Sequence, residues 1–248
     1  MEDFIYWRHP TLPGIKVEEV TGGDEFHGKA WFDAARQIYS ENGREEYREI
    51  GHYPCGAPFL YNGRGRISVT HCAGLLAVAT LPDTPEVNLG VYSDRAALGI
   101  DAERADRAQV LRLRDRFLNA PELDAIDKDS VEQNILAWTV KEACYKLAMT
   151  AGLDFRNNII IERMPRLGPP TPVYDLKEFS YDGTGSGFRD DDYGMASIIV
   201  PDAEGAEQAA GGEITLKVSL FSYRSDDFII TLAFHRLSAR FSKKHSDL

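Results

Sequence analysis

Residues 138–146 read Trp138-Thr139-Val140-Lys141-Glu142-Ala143-Cys144-Tyr145-Lys146, within an apolar-periodic run from about Val131 to Met149 that contains neither Pro nor Gly. The run predicts a helix. At 3.6 residues per turn, Trp138, Glu142 and Lys146 share one face of that helix. Taken alone, this face is explained by an exposed Glu-Lys pair, which stabilises a helix by about 0.2–0.5 kcal/mol, beside a core Trp. A second acidic site upstream gives the face another interpretation.

Composition and charge limit the class of protein. The chain has 248 residues and 43% hydrophobic content, which suits one large domain or two small ones with an ordinary core. The net charge of −11 argues against a sequence-independent nucleic-acid binder. The segment from Met1 to Trp7 is too short for a signal peptide, and no apolar run is long enough to span a membrane.

The cysteines and histidines show no metal-binding spacing. Cys55, Cys72 and Cys144 are widely separated and form no CxxC pair, which fits a reducing cytoplasm without disulfides or a zinc site. The six histidines contain no HExxH motif. We therefore expect any metal to be a hard cation with oxygen ligands.

The order of predicted elements indicates an α+β fold. A helical region that Gly43 divides into two helices is predicted over residues 29–50, a hairpin around residues 62–65, and a buried strand over residues 97–102. The remaining predicted strands lie at residues 4–7, 15–20, 75–81, 159–162 and 195–200 and in a hairpin over 213–237, with helical segments at 106–118 and 121–128. We expect two halves of similar content, 1–97 and 98–240, followed by a tail over 241–248.

The predicted strand Leu98-Gly99-Ile100-Asp101-Ala102-Glu103 carries two carboxylates at i and i+2. Side chains two apart on a strand share a face, where two like charges are unfavourable without a cation between them. Mg²⁺ prefers such oxygen ligands. The alternative is that the strand ends near Asp101 and leaves Glu103 in water.

The segment Ser68-Val69-Thr70-His71-Cys72-Ala73-Gly74 places a hydroxyl and an imidazole at the end of a strand. A structural histidine bonded to a neighbouring carbonyl group is the usual explanation for a lone His. The functional alternative is that Thr70 and His71 donate to the oxygens of a phosphate.

Three motifs together resemble the 4′-phosphopantetheinyl transferase superfamily, specifically its long, pseudodimeric (Sfp-like) type. Residues 68–74 resemble the family's SxSHxxG segment, residues 99–103 its GIDxE, and residues 138–146 its WxxKExxxK. Weaker similarities are Arg36 and Gly56-Ala57-Pro58. In all, the resemblance spans roughly residues 29–161. It implies two pseudo-symmetric α+β halves, each with an antiparallel sheet and a long helix, and an active site in the cleft between them.

The resemblance also implies a role for each matched residue. Asp101, Glu103 and Glu142 would bind Mg²⁺, and Lys146 would contact the coenzyme A pyrophosphate. The nucleotide phosphates would be held by Thr70 and His71 near Pro58, and Arg36, together with Lys29, would approach the 3′-phosphate. The partner would be an apo acyl or peptidyl carrier protein, modified by a cytoplasmic enzyme that we expect to be a monomer.

The implied reaction suits these residue types. A carrier serine attacks the β-phosphate of coenzyme A, which transfers phosphopantetheine and releases adenosine 3′,5′-bisphosphate. Phosphoryl transfer depends mainly on positioning and charge neutralisation, which a metal and a lysine supply. Glu142 is the candidate acceptor of the serine proton, directly or through a bound water.

The chain departs from the family pattern at several positions. Ala57 stands where the family commonly has Lys, for which Arg64 or Arg66 would have to substitute, and Met149 stands where Gly is frequent. The lost lysine motivates an alternative function, a catalytically silent homologue that binds a carrier or coenzyme A without transfer. Accidental motif matches in an unrelated α+β protein are a third possibility. The candidate carrier-docking residues are Arg107, Arg112, Arg114, Arg116, Phe117 and Leu118, whose alternative role is an ordinary solvated helix face.

Overall fold

The computed structural model describes nine segments of the chain, namely residues 4–8, 16–21, 50–54, 56–60, 65–82, 98–168, 193–201, 213–225 and 227–235. The predicted helical region over 29–50 and the predicted tail over 241–248 lie outside these segments, except that Ile50 begins a short strand. None of the helices in these segments has the length and hydropathy needed to cross a bilayer.

The first sheet is antiparallel, with strand order β1-β2-β6-β5. It consists of β1 (Phe4–Arg8), β2 (Lys16–Thr21), β5 (Gly65–Cys72) and β6 (Leu75–Pro82). Strands β3 (Ile50–His52) and β4 (Pro58–Leu60) form a separate antiparallel ribbon. Gly74 has a φ of 87° in the β5–β6 turn, a conformation that glycine adopts without steric cost.

The hairpin predicted around residues 62–65 is wrong as a strand pairing. Among the described residues, β4 pairs with β3, and β5 pairs with β6. Both predicted strands exist, but the β5–β6 hairpin uses the tighter turn at Ala73-Gly74, which brings long runs of apolar residues into register.

The strands of the second sheet are β7 Leu98–Arg104, β8 Ile159–Arg163, β9 Leu167–Gly168, β10 Gly194–Pro201, β11 Glu213–Ser225 and β12 Phe228–His235. Their order in the sheet is β7-β12-β11-β10-β8. The pairs along this path are antiparallel, and the predicted terminal hairpin is confirmed as β11–β12. The two-residue strand β9 pairs with β11 in parallel.

The helices of the described segments follow β7. The predicted segment 106–118 contains two short helices, a 3₁₀ helix (Ala108–Arg112) and α1 (Arg114–Phe117). The predicted segment 121–128 corresponds to α2 (Ala120–Ala125). The long predicted helix is confirmed as α3 (Val131–Ala148), with the Ser130 side chain accepting from the Gln133 N–H at its start. Met149 ends it with a φ of 46°, in the left-handed region that usually favours Gly.

Strand β7 lies between two cores because its side chains alternate. Ile100 and Ala102 join the core that the two sheets form together. On the opposite face, α3 covers the second sheet, with Val140, Ala143 and Leu147 in that core. Asp101 and Glu103 share this second face, as the i, i+2 spacing predicts. The α+β class is therefore confirmed, whereas the pseudo-symmetry and the domain boundaries stay predictions.

Gly99 sets the distance between β7 and α3. A Cβ atom at this position would lie 2.0 Å from the Ala143 carbonyl oxygen and 2.7 Å from the Leu147 nitrogen, both backbone atoms that a rotamer change cannot move. We expect Gly99→Ala to lower the free energy of unfolding by about 1–3 kcal/mol, measured in urea. Gly51→Ala is the control with a smaller expected loss, because the three atoms nearest to its Cβ would belong to the Phe59 ring, a side chain that can shift. An equal or larger loss for Gly51→Ala would contradict this account.

Candidate functional site

The site lies where α3 crosses β7. The Lys146 Nζ donates to Asp101 Oδ1 at 2.7 Å and to the Ile100 carbonyl oxygen at 3.0 Å. The Asp101 side chain is almost fully buried, so this charge-assisted bond is poorly screened by water. Lys146 therefore joins the end of α3 to the middle of β7.

Glu103 is held from two directions. The Trp138 Nε1 donates to Glu103 Oε1 at 3.1 Å, and the Arg107 guanidinium forms an ion pair with the same oxygen. The Trp138 ring also packs edge-on against Phe117 at 5.1 Å between centroids. The sequence interpretation assigned Trp138 a packing role alone, and its hydrogen bond to Glu103 adds an orienting one.

Strand β5 reaches the same site with two hydroxyl groups. Thr70 Oγ1 donates to Asp101 Oδ1 at 3.1 Å and accepts from the Ala102 N–H at 3.1 Å. Ser68 Oγ accepts from the Ile100 N–H at 3.0 Å. His71, the residue after Thr70, lies at the surface. Partial desolvation, and to a smaller extent the charge of Lys146, lowers the pKa of its imidazole. Thr70 and Asp101 are thus in direct contact, which the sequence did not indicate.

Two of the three carboxyl groups, those of Glu142 and Glu103, have raised pKa values. Burial, followed by the negative charge of Asp101, raises the pKa of Glu142 from 4.5 to about 7. The same two causes raise the pKa of Glu103, against the opposing effects of Arg107 and the Trp138 hydrogen bond. A raised pKa means that the ionised form is disfavoured, so a cation placed among these side chains would be stabilising.

The three carboxylates suit a divalent cation in chemistry, although they are not gathered around one point. Within the described segments, no three His, Cys, Asp or Glu side chains are arranged to hold a metal ion. Asp101 Oδ2 is nevertheless buried without a hydrogen-bond partner, which is costly unless a ligand takes it. Oxygen donors on Asp101, Glu103 and Glu142 are those that Mg²⁺ prefers, so these residues fit the ion.

The Glu142 pKa has a consequence for stability. Because the folded-state pKa lies above the ordinary value of 4.5, the native state binds more protons than the unfolded state between pH 4.5 and about 7. Without divalent cations, the contribution of Glu142 to stability should therefore fall by about 1–3 kcal/mol as the pH rises through this window. Urea unfolding with EDTA at pH 5 and pH 8 checks this against Glu142→Gln, for which we expect a smaller fall. Equal falls for both proteins would contradict the prediction.

The remaining predicted ligand contacts are only partly described. Lys29, Arg36 and Arg64 lie outside the described segments. Pro58 is half-buried in β4 opposite His52, so its distance from the carboxylates and from any coenzyme stays untested. Their roles stay predictions.

The predicted apolar docking contacts are wrong, because Phe117 and Leu118 are 1% and 0% exposed in the core beneath α3. Of the predicted docking arginines, Arg114 donates to the Asn134 side chain and to the carbonyl oxygens of Leu123 and Ile126. Arg107 is paired with Glu103, as described above. The exposed guanidinium groups of this predicted set are those of Arg112 and Arg116.

One residue of the helix motif is buried where the sequence interpretation treated it only as part of a pattern. Lys141 is 0% exposed and lies 2.7 Å from Glu122 in an ion pair, with further bonds to the Phe155 and Ile159 carbonyl oxygens. Glu122 also accepts from the backbone N–H groups of Asn119 and Ile161. Val140 precedes Lys141, but the charged Glu142 follows it, so no sequence signal beside Lys141 indicates its burial.

Comparison with known protein families supports part of this interpretation. A family model described as the 4′-phosphopantetheinyl transferase superfamily matches residues 97–190, which is less than half of the chain. The match includes β7 and α3, and with them Asp101, Glu103, Glu142 and Lys146. No curated protein sequence matches the chain. The resemblance is thus confirmed for this segment at the level of the superfamily.

Proposed function

We propose that this protein transfers the 4′-phosphopantetheine group of coenzyme A to a serine of an apo acyl or peptidyl carrier protein, with Mg²⁺. The supporting observation is that Asp101, Glu103, Glu142 and Lys146 all lie at the crossing of β7 and α3, inside the segment that matches the superfamily. The poorly solvated carboxylates provide a place for a cation, and Lys146 provides a positive charge beside it.

In the proposed reaction, the serine oxygen forms a bond to the β-phosphorus of coenzyme A, and the bond from that phosphorus to the bridging oxygen breaks. Adenosine 3′,5′-bisphosphate leaves with the electron pair. Bound Mg²⁺ would supply charge neutralisation at the pyrophosphate, with Asp101, Glu103 and Glu142 as its ligands. Lys146 would move from Asp101 to the pyrophosphate oxygens.

Glu142 is the candidate acceptor of the serine proton. A general base is most effective when its pKa lies near the working pH, and the pKa of Glu142 is about 7. A bound cation would lower this pKa and oppose the role of base, so Glu142 would accept the proton most readily while it is only loosely held by the ion. His71, near the same carboxylates, would contact the nucleotide phosphates.

The carrier would meet the protein beside this site. Exposed Arg112 and Arg116 follow β7 closely in the chain and would provide positive charge for an acidic carrier surface, despite the net charge of −11. We further propose that the protein works as a monomer in the cytoplasm, on carriers of fatty-acid, polyketide or peptide synthesis.

A transfer assay tests the proposed function. Purified protein is incubated with coenzyme A, Mg²⁺ and a panel of apo carriers, including those of its own host, and the intact carriers are weighed by mass spectrometry. We expect the mass of at least one carrier to increase by one phosphopantetheine group, and EDTA to prevent the increase. If no carrier gains mass, the proposal fails. Carrier or coenzyme A binding without transfer would then favour the silent homologue suggested by Ala57.

A further inference from the structure

The two sheets meet through side chains at the edge of β7. In an antiparallel ladder, alternate residues of an edge strand point their N–H groups away from the paired strand. Since β7 pairs with β12, the N–H groups of Ile100 and Ala102 face β5 and would be unpaired in the core. Ser68 and Thr70 accept these two bonds, at 3.0 Å and 3.1 Å, and so replace a backbone ladder.

The Thr70 hydroxyl has one proton, and that proton is committed. A hydroxyl group donates one hydrogen bond and accepts up to two. Thr70 Oγ1 gives its proton to Asp101 Oδ1 and accepts from the Ala102 N–H, and the side chain is only 3% exposed. It could therefore offer a phosphate only a lone pair, which repels an anion. The bond to Asp101 would have to break before Thr70 could donate elsewhere.

The same bond orients the Asp101 carboxylate. Thr70 and Lys146 both donate to Oδ1, whereas Oδ2 is buried and has no hydrogen-bond partner. Two donors on one oxygen prevent the carboxylate from rotating, so Oδ2 keeps a single direction. When Lys146 turns away, Thr70 remains as the fixed donor. Oδ2 is thus the oxygen left for a cation.

We infer that Thr70 is a positioning residue that acts through Asp101 on a divalent cation, and that it does not bind the phosphates of coenzyme A. This inference rests on the proposed function for the presence of the cation. It differs from the role that the family resemblance implies for the matched residue. It also separates Thr70 from its neighbour His71, which lies at the surface and to which the proposed function assigns the nucleotide phosphates.

Two binding measurements test the inference. The affinity for Mn²⁺ is followed by electron paramagnetic resonance, and the affinity for adenosine 3′,5′-bisphosphate is measured by calorimetry in EDTA. The variants are Thr70→Val, which has nearly the same shape but no hydroxyl, and Thr70→Ser, which keeps it. Ser68→Ala controls for the contact between the sheets, because Ser68 bonds to Ile100 without touching Asp101. His71→Ala controls for the nucleotide.

We expect Thr70→Val to weaken Mn²⁺ binding by about 10–100-fold, the usual effect of losing a hydrogen bond to a metal-binding carboxylate. Thr70→Ser and Ser68→Ala should stay within about threefold of the wild type, although Ser68→Ala lowers the melting temperature. Bisphosphate affinity should change for His71→Ala and not for Thr70→Val. Unchanged Mn²⁺ affinity in Thr70→Val, or an equal loss in Ser68→Ala, overturns the inference alone. Absence of Mn²⁺ binding in the wild type overturns it together with the proposed cation.

Discussion

Replacing Glu142 by Gln is expected to lower kcat/KM for carrier modification by about 10²–10⁴-fold while the protein remains folded. Gln keeps the size of the side chain but neither ionises nor accepts a proton at neutral pH. Because burial and Asp101 disfavour the charge of Glu142, its removal should not destabilise the protein at pH 8. The activity is measured with the carrier identified in the transfer assay, and the fold by circular dichroism and urea unfolding.

Glu132 provides a matched control on the same helix. Its carboxylate is half exposed and pairs with Arg224 at 2.9 Å, near the start of α3 and ten residues before Glu142. Glu132→Gln should change kcat/KM by less than about twofold, as expected for a surface ion pair. If Glu142→Gln keeps nearly full turnover, or loses turnover only because it unfolds, the assigned role of Glu142 is wrong.

Replacing Lys141 by Met is expected to have the largest effect on stability, a loss of about 3–5 kcal/mol in the free energy of unfolding. The ammonium group donates to Glu122 and to the carbonyl oxygens of Phe155 and Ile159, so all three protons are used inside the protein. Met fills a similar volume but leaves the Glu122 carboxylate charged, buried and without its cation. The two carbonyl groups lose their donor as well.

Lys217 is the control for this change. It forms an ion pair with Glu162 on the second sheet, but its side chain is 61% exposed. Lys217→Met should cost less than about 1 kcal/mol in the same urea experiment. Comparable losses in the free energy of unfolding for the two variants would show that the buried Lys141–Glu122 pair stabilises the protein no more than an exposed pair does. If Lys141→Met does not fold at all, Glu122→Gln, which keeps a partial acceptor for Lys141, gives the smaller and measurable loss.

The elements that the sequence predicts well are those whose pattern is local. The long helix is visible in an apolar period uninterrupted by Pro or Gly, and α3 ends within a residue of the predicted Met149. The side-chain alternation of β7 places Asp101 and Glu103 on one face for the same reason. These two local patterns account for most of the candidate site.

The features that the sequence did not predict depend on contacts between distant segments. Strand β4 pairs with β3 and not with β5, although a Gly-rich turn signal follows it. Such a signal permits a hairpin without requiring one. The buried Lys141 is paired with Glu122, which lies 19 positions earlier in the chain. The hydrogen bond between Thr70 and Asp101 likewise joins strands 31 positions apart. Single-sequence patterns carry no information at these separations.

The most direct test of the cation site is a crystal structure with coenzyme A and Mg²⁺ bound. We expect one ion at about 2.1 Å from carboxylate oxygens of Asp101, Glu103 and Glu142, with the pyrophosphate completing its coordination. The Lys146 Nζ should then contact the pyrophosphate instead of Asp101. Ordered coenzyme A with no ion among the three carboxylates, and with Lys146 still on Asp101, would contradict the account.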